Sequence, residues 1–230
     1  MALNENTYRS KTFQKNGRDK CFGVYNLYFK RIIDLLLALP AFILLLPLFA
    51  VISLLIFLED GSPVFYRALR GGYKGKPFKI CKFRTMVKNA DKIGGSTTAL
   101  DDPRITKTGK FLRKTKFDET ANLLNIITGE MSFIGPRPEL LMYTEKYEGN
   151  EQIINLVRPG ITDYSSIEFI NLDELVGKEN ADENYEKFVL KRKNELRIKY
   201  ATTVSFKVDA KIFFTTILMV LRKIKKYLWK

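Results

Sequence analysis

The sequence predicts an α+β fold, mostly helical, attached to a membrane. Three observations carry this reading. Leu35 to Leu58 is a 24-residue run without a charge. Phe78 to Thr85 alternates apolar and basic residues, as a half-buried strand does. Near the chain end, Phe206, Ile212, Phe213, Ile217, Leu221, Ile224 and Leu228 fall roughly on one side of a helix, and Arg222, Lys223, Lys225 and Lys226 fall on its other faces. A chain of 230 residues is long enough to bury a core of its own.

Residues 1–27 are polar and lack periodicity, which predicts a flexible tail. The membrane segment follows at 32–58. A straight helix over its 24 uncharged residues reaches ~36 Å, enough for a bilayer core of ~30 Å. Pro40 and Pro47 lie inside it, and each removes a backbone donor, so a bend is expected. Residues 1–31 carry seven Lys/Arg against Glu5 and Asp19, and residues 59–90 carry eight against Glu59 and Asp60. Both flanks therefore carry the signature of the cytoplasmic side. A helix that enters, breaks at Pro47 and returns satisfies both flanks; a tilted, kinked span is the other reading. Asp34 is expected to pair with Lys30 and Arg31 at headgroup depth.

Pro63 to Tyr66 and Phe78 to Thr85, joined by the turn-rich Arg70 to Pro77, predict a small β-hairpin. Lys79, Lys82 and Arg84 give it a cationic face, suited to solvent or to phosphates. A long polar loop, Asn89 to Arg104, contains Gly94 and Gly95. Gly109 to Lys116 reads as a short basic helix, and Asp118 to Thr128 as a helix stopped by Gly129. The catalytic part would span 59–200. The C-terminal amphipathic helix, 203–230, suits a membrane interface or a core-packing role.

Charge and composition narrow the chemistry. Formal charge is +14, from 39 basic and 25 acidic residues, which points to an anionic partner. With no histidine, Ser-His-Asp and His–metal chemistries are excluded. Cys21 and Cys81 are far apart and lack metal-ligand spacing, so a reducing compartment is the default. No nucleic-acid module is present, and no nucleic-acid partner is expected.

The stretch "TKFDETANLLNIITGEMSFIGPRPE", Thr115 to Glu139, carries the most specific signal. Asp118 and Glu119 stand ahead of an apolar helical pattern, where an acid is a favoured cap. A helix start also attracts phosphate. Arg137 is fixed between two prolines, and Arg158 and Arg104 sit in further Arg–Pro or Pro–Arg units. Fixed arginines suit phosphate binding. Carboxylates among such arginines fit magnesium-assisted chemistry on a phosphate ester, with an Asp able to attack phosphorus. A non-catalytic basic scaffold on anionic lipid is the competing reading.

The ordered set "KRIIDLLLALPAFILLLP", "GSPVFYRALRGG", "GKPFKICKFRTM", "DDPRITKTGKFLRKTKFDE", "NIITGEMSFIGPRPE" and "VRPGIT" resembles the bacterial sugar transferases, the small monotopic phosphoglycosyl transferases, over about Tyr28 to Tyr200. The resemblance implies a re-entrant helix-break-helix with its break at Pro47, and interfacial helices around a cytosolic catalytic core at the cytoplasmic face of the bacterial inner membrane. It implies transfer of a sugar phosphate from a UDP-sugar to polyprenyl phosphate, with Mg²⁺, yielding UMP. Asp118 would be the nucleophile, and Glu119 its partner in placing the metal or handling a proton. Arg137 and Arg158 would hold phosphate, with Arg104, Lys82 and Arg84 as further binding candidates. The chain departs from the family's usual pattern at Leu46-Pro47, at Thr120-Ala121-Asn122 and at Asp163-Tyr164-Ser165-Ser166. The last departure falls near donor recognition, so the resemblance names no sugar. Without an N-terminal transmembrane bundle, the chain resembles the minimal catalytic form.

Overall fold

The computed structural model describes residues 18–90, 102–172, 175 and 180–228. The tail before residue 18, most of the predicted Asn89 to Arg104 loop, and Trp229 lie outside the described residues.

The apolar run folds as α1 (Lys30–Asp60), one helix that passes through Pro40 and Pro47. The predicted interruption at Pro47 is corrected to a continuous helix. A proline deletes one backbone bond, and the bonds on either side hold the turn. Phe42 and Phe49, on either side of Pro47 and on one face of the helix, have ring centroids 5.7 Å apart.

Both ends of α1 are fastened to the same body. At the start, Arg31 donates to the carbonyls of Ile126 and Ile127. Asp34 does not make the predicted pair with Lys30 and Arg31. It accepts from the Ser132 hydroxyl at 3.0 Å and the Phe133 amide at 3.1 Å, while Lys30 pairs with Asp209. At the far end, Glu59 accepts from the amides of Lys107 and Thr108, the first residues of α2 (Lys107–Thr115), and Asp60 pairs with Arg84 at 3.2 Å. Between these anchors Phe49, Ile52 and Ile56 are buried in the core, whereas Leu36, Ile43, Leu44 and Leu58 remain well exposed. Among the described residues, Tyr25–Asp60 is the one helical stretch long and apolar enough to cross a membrane.

The hairpin forms as β1 (Phe65–Arg70) and β2 (Phe78–Phe83), antiparallel, with Phe65 opposite Phe83 and Arg70 opposite Phe78. The first strand thus starts two residues later than predicted and runs longer. Phe78, Ile80 and Phe83 enter the core under α1, with Phe83 stacked edge-on to Phe49 at 5.2 Å. Asp118 to Thr128 is not one helix. Phe117–Asn122 is a 3₁₀ turn, and α3 (Leu123–Thr128) follows, closed by Gly129 in the left-handed region.

A second sheet was not legible. β3 (Ser132–Ile134) and β4 (Gly160–Thr162) pair in parallel. It brings the Gly135-Pro136-Arg137-Pro138 turn against Arg158-Pro159-Gly160. The backbones approach so closely that a Cβ on Gly160 would overlap the Gly135 amide nitrogen, and one on Gly135 the Arg158 carbonyl. The short α4 (Leu141–Thr144) and α5 (Tyr164–Glu168) follow β3 and β4 respectively. After α6 (Ala181–Asn184) and a π-helical turn at Tyr185–Leu190 comes α7 (Lys191–Thr203). Its Leu196, Tyr200 and Ala201 are buried, the latter two in a second core beside Ile134, Ile153 and Val157.

The last helix, α8 (Phe206–Leu228), packs on the core with one face and leaves an apolar face exposed. Ile212 is fully buried in that second core, whereas Phe206, Phe214, Ile217, Leu218 and Leu221 stay exposed.

Candidate active site

The carboxylate pair sits where two helical segments meet. Lys116 closes α2 in the left-handed region, φ 62°, a place glycine usually takes. The chain reverses there into the 3₁₀ turn, which starts with Phe117, Asp118 and Glu119. Asp118 lies in the first turn, as predicted, but the N-cap position belongs to Lys116. Asp118 Oδ1 is buried and has no hydrogen-bond partner among the described residues. A buried acceptor left without a donor costs stability, so the position is not explained by folding.

Glu119 is the opposite case. Arg137 grips both of its oxygens, Nη1 to Oε2 at 3.0 Å and Nη2 to Oε1, and Lys82 Nζ reaches Oε1 at 3.0 Å. Burial disfavours the charged carboxylate, but Arg137 and Lys82 outweigh it and hold Glu119 well below the usual range. Burial and then the Glu119 charge push Asp118 above its ordinary value, against Lys82, Lys116 and Arg113. Adjacent carboxyls thus titrate apart, with Asp118 the first to take a proton on acidification.

Two local devices place these groups. Asn125, buried in α3, accepts from the Cys81 amide at 2.8 Å and donates to the Lys79 carbonyl at 2.8 Å and to Glu130 at 2.8 Å. It completes the free edge of β2 and so sets Lys82 against Glu119. Asn125→Ala should cost about 2–3 kcal/mol through these lost buried bonds; chemical denaturation measures it. On the other side, Arg137 is oriented by its bond to the Ile161 carbonyl at 3.0 Å and by Asp163, which accepts from the Arg137 amide at 3.3 Å. Asp163 is fully buried and also holds Ser165 and Ser166. This divergent tetrapeptide therefore supports the arginine turn.

The pair faces a cavity of about 1150 Å³ lined by basic side chains from the hairpin, α2 and α7. Of the predicted candidates, the structure brings Asp118, Glu119, Lys82, Arg84, Arg104 and Arg137 to this cavity. Two of these are largely committed elsewhere. Arg84 donates to the Asp60 and Gly61 carbonyls, pinning the end of α1, although its buried Nη1 has no partner among the described residues. Arg104 is closed into a fork with Asp102 and bonds the Ala90 carbonyl. Arg158 does not line the cavity. It stacks on Tyr73 at 4.9 Å and donates to the Gly129 carbonyl. Arg113, Lys116, Glu139, Tyr185, Lys193 and Arg197 line it without having been predicted. The basic "GKFLRKTK" run was a usable signal for the first two; Glu139 ends the quoted Gly-Pro-Arg-Pro-Glu stretch, and nothing marked Tyr185, Lys193 and Arg197, which arrive from the π turn and α7.

Among the described residues no cluster of three or more His, Cys, Asp or Glu is placed to cage a metal. Both Glu119 oxygens are taken by cations, which leaves Asp118, whose buried Oδ1 has no partner among the described residues, as the carboxylate not bonded to a cation. Such a donor suits an ion that keeps waters and takes most of its shell from substrate phosphates, as Mg²⁺ does. It does not suit an ion that needs an all-protein cage.

A family model described as bacterial sugar transferase matches residues 25–223. A Bacillus subtilis (strain 168) protein, provisionally named an undecaprenyl-phosphate N-acetylgalactosaminyl 1-phosphate transferase, is 44% identical over 122 residues, 53% of this chain and 68% of that protein. The UDP-glucose:undecaprenyl-phosphate glucose-1-phosphate transferases of Escherichia coli (strain K12) and Klebsiella pneumoniae are 36% and 33% identical over 84% and 92% of this chain. The chain spans only 40% and 45% of the length of those two relatives.

Proposed function

The chain belongs to the bacterial sugar transferase family, and from that premise we propose that it moves a sugar phosphate from a UDP-sugar to polyprenyl phosphate. The observation that carries this reading is the pair itself: an unpartnered, buried Asp118 oxygen beside a Glu119 locked by Arg137 and Lys82, at the wall of a large cationic cavity.

In this reading Asp118 attacks the β-phosphorus of the donor. The bond from that phosphorus to the bridging oxygen breaks, and UMP leaves with the electron pair. An acyl phosphate bearing the sugar remains on Asp118. An oxygen of polyprenyl phosphate then attacks the same phosphorus, and the Asp118 carboxylate departs. Nucleophile and leaving group are oxyanions in both steps, so no net proton transfer is needed. That suits a chain without histidine. Arg137 and Lys82 meet the charge of the transferring phosphoryl group. Mg²⁺, held at Asp118 and by the donor's own phosphates, would neutralise further charge on the diphosphate.

Glu119 takes a different duty from a proton carrier. A group held well below the carboxylate range is a poor base near neutrality. It aligns Arg137 and Lys82 instead.

The attachment of both ends of α1 to one body supports a re-entrant helix, dipping into the cytoplasmic leaflet and returning. The exposed apolar faces of α1 and α8 would then both meet lipid. In this reading the reaction runs at the cytoplasmic face of the inner membrane, where an anionic lipid head can enter the cavity.

The test is UMP release by detergent- or nanodisc-held protein offered a panel of UDP-sugars, undecaprenyl phosphate and Mg²⁺. Release with one donor is expected; no release across the panel from folded protein would sink the reading. The pH profile is a second check. Asp118 must be ionised to attack, and its pKa is raised above the ordinary 3.8. Activity should therefore fall on acidification at a pH higher than an ordinary Asp would give.

A further inference from the structure

The wall of the cavity beyond Arg137 holds a second cluster that the proposed chemistry does not use. Glu139 accepts from Arg197 at 2.8 Å and from the Tyr185 hydroxyl. Arg197 is 1% exposed, donates also to Asn194, and has a buried Nε without a partner among the described residues. Lys193 is 6% exposed, and no carboxylate pairs with it among the described residues. Its ammonium lies over the rings of Tyr185 at 4.7 Å and Phe169 at 5.8 Å, and its hydrogen bond, to the Tyr185 hydroxyl, is long at 3.4 Å. All three of Glu139, Lys193 and Arg197 line the cavity.

An ammonium that can donate three bonds, buried with one long bond, is costly to keep. So is a guanidinium N–H with no acceptor. Two such donors on one wall call for a ligand that brings oxygen acceptors. The surroundings restrict its shape. Leu140, Leu172, Tyr143 and Tyr185 line the cavity and pack in one cluster, giving apolar and aromatic surface around a few polar atoms. That combination suits a planar heterocycle with carbonyl oxygens. Reach fits as well. Glu139 is two residues beyond Arg137, at most ~7 Å of chain, which is the scale of a ribose between a diphosphate and its base.

We propose that Lys193 and Arg197, with the Tyr143–Tyr185 aromatic wall, form the subsite for the pyrimidine base of the donor nucleotide. The proposal rests on the transferase reading above. It makes Lys193 a specificity-determining residue: its ammonium donates to a base carbonyl, remote from the phosphorus that reacts. It also explains why the π-helical turn at Tyr185–Leu190 precedes α7, since it carries Tyr185 beside Lys193 on one wall.

The experiment measures UMP, UDP and inorganic diphosphate affinity by calorimetry, for the wild-type chain, Lys193→Met and Tyr185→Phe in nanodiscs. Methionine keeps the volume of lysine and removes the unpaired charge, so the folded protein should melt no lower than wild type. UMP and UDP affinity should fall about 10-fold or more in Lys193→Met, the scale of one charged hydrogen bond, while diphosphate affinity holds. Unchanged UMP affinity in Lys193→Met would overturn the subsite, and so would an equal loss of diphosphate, which would mark Lys193 as general charge. Altered preference among UDP-sugars with unchanged UMP affinity would give the wall to the sugar instead and also overturn it. Failure of the wild-type chain to bind any of the three would overturn the transferase reading together with the subsite. Tyr185→Phe gives an independent arm: it keeps the ring and frees Glu139 of one donor, so UMP affinity should change less than in Lys193→Met.

Discussion

Asp118→Asn is expected to lower UMP release by about 10³-fold or more and to leave the fold intact. The amide has the shape of the carboxyl but cannot form an acyl phosphate. Stability should move the other way. Burial raises the Asp118 pKa in the folded chain, so the folded state prefers the neutral acid. The stability linked to that preference is complete below the unfolded pKa and is lost as pH rises through the folded one. Near neutrality the wild-type chain therefore bears the cost of a buried carboxylate, and asparagine removes it. A variant that is inactive and melts at or above the wild-type temperature is the signature of a group retained for chemistry. Thermal melts beside the UMP assay read both quantities, and a variant that turns over normally would end the assignment.

The second large effect separates two arginines that look alike in sequence. Arg137→Ala should lower activity by about 10²-fold or more and destabilise the chain by about 2 kcal/mol. It removes the fork on Glu119 and leaves that carboxylate to Lys82 alone. The Glu119 pKa is depressed in the folded chain, so its contribution to stability is present above the unfolded value and lost as pH falls through the folded one. The Arg137→Ala variant should lose much of that acid sensitivity. Arg137→Lys should rescue little, because an ammonium cannot make the two-point contact. Arg158→Ala should instead cost about 1 kcal/mol of stability through the Tyr73 stack and the Gly129 bond, with the activity of the folded enzyme nearly unchanged. Equal losses of activity in the two variants would contradict the placement of Arg158 outside the cavity.

The comparison of these arginines shows what a sequence can carry. "GPRP" and "VRPG" both present an arginine beside proline, and local reading gives both to phosphate. The difference arises from a parallel pairing of two three-residue strands that no periodicity announces. That pairing turns Arg137 inward to Glu119 and puts Arg158 behind the turn, against Tyr73. The same limit applies to Lys193 and Arg197. Nothing in "FVLKRKNELRIKY" marks two buried cations, because their setting depends on Glu139 arriving from a distant segment to meet Arg197. What was legible was local: the uncharged run, the alternating β2, the stop at Gly129, and an acid pair at a helical start. The continuity of α1 through Pro47 was not, since a proline predicts a lost bond and a bend, while its neighbours decide whether the helix resumes.

The account's central claim is the covalent step at Asp118, and the most direct test omits the acceptor. Protein held in nanodiscs would be mixed with its UDP-sugar donor and Mg²⁺ but no polyprenyl phosphate, then followed for UMP and by intact mass. The account predicts up to one equivalent of UMP per chain, with a mass gain of one sugar phosphate that maps to Asp118 and disappears when polyprenyl phosphate is added. UMP that forms only when the acceptor is present, with no mass gain at any time, would mean direct transfer between the two substrates and would contradict it.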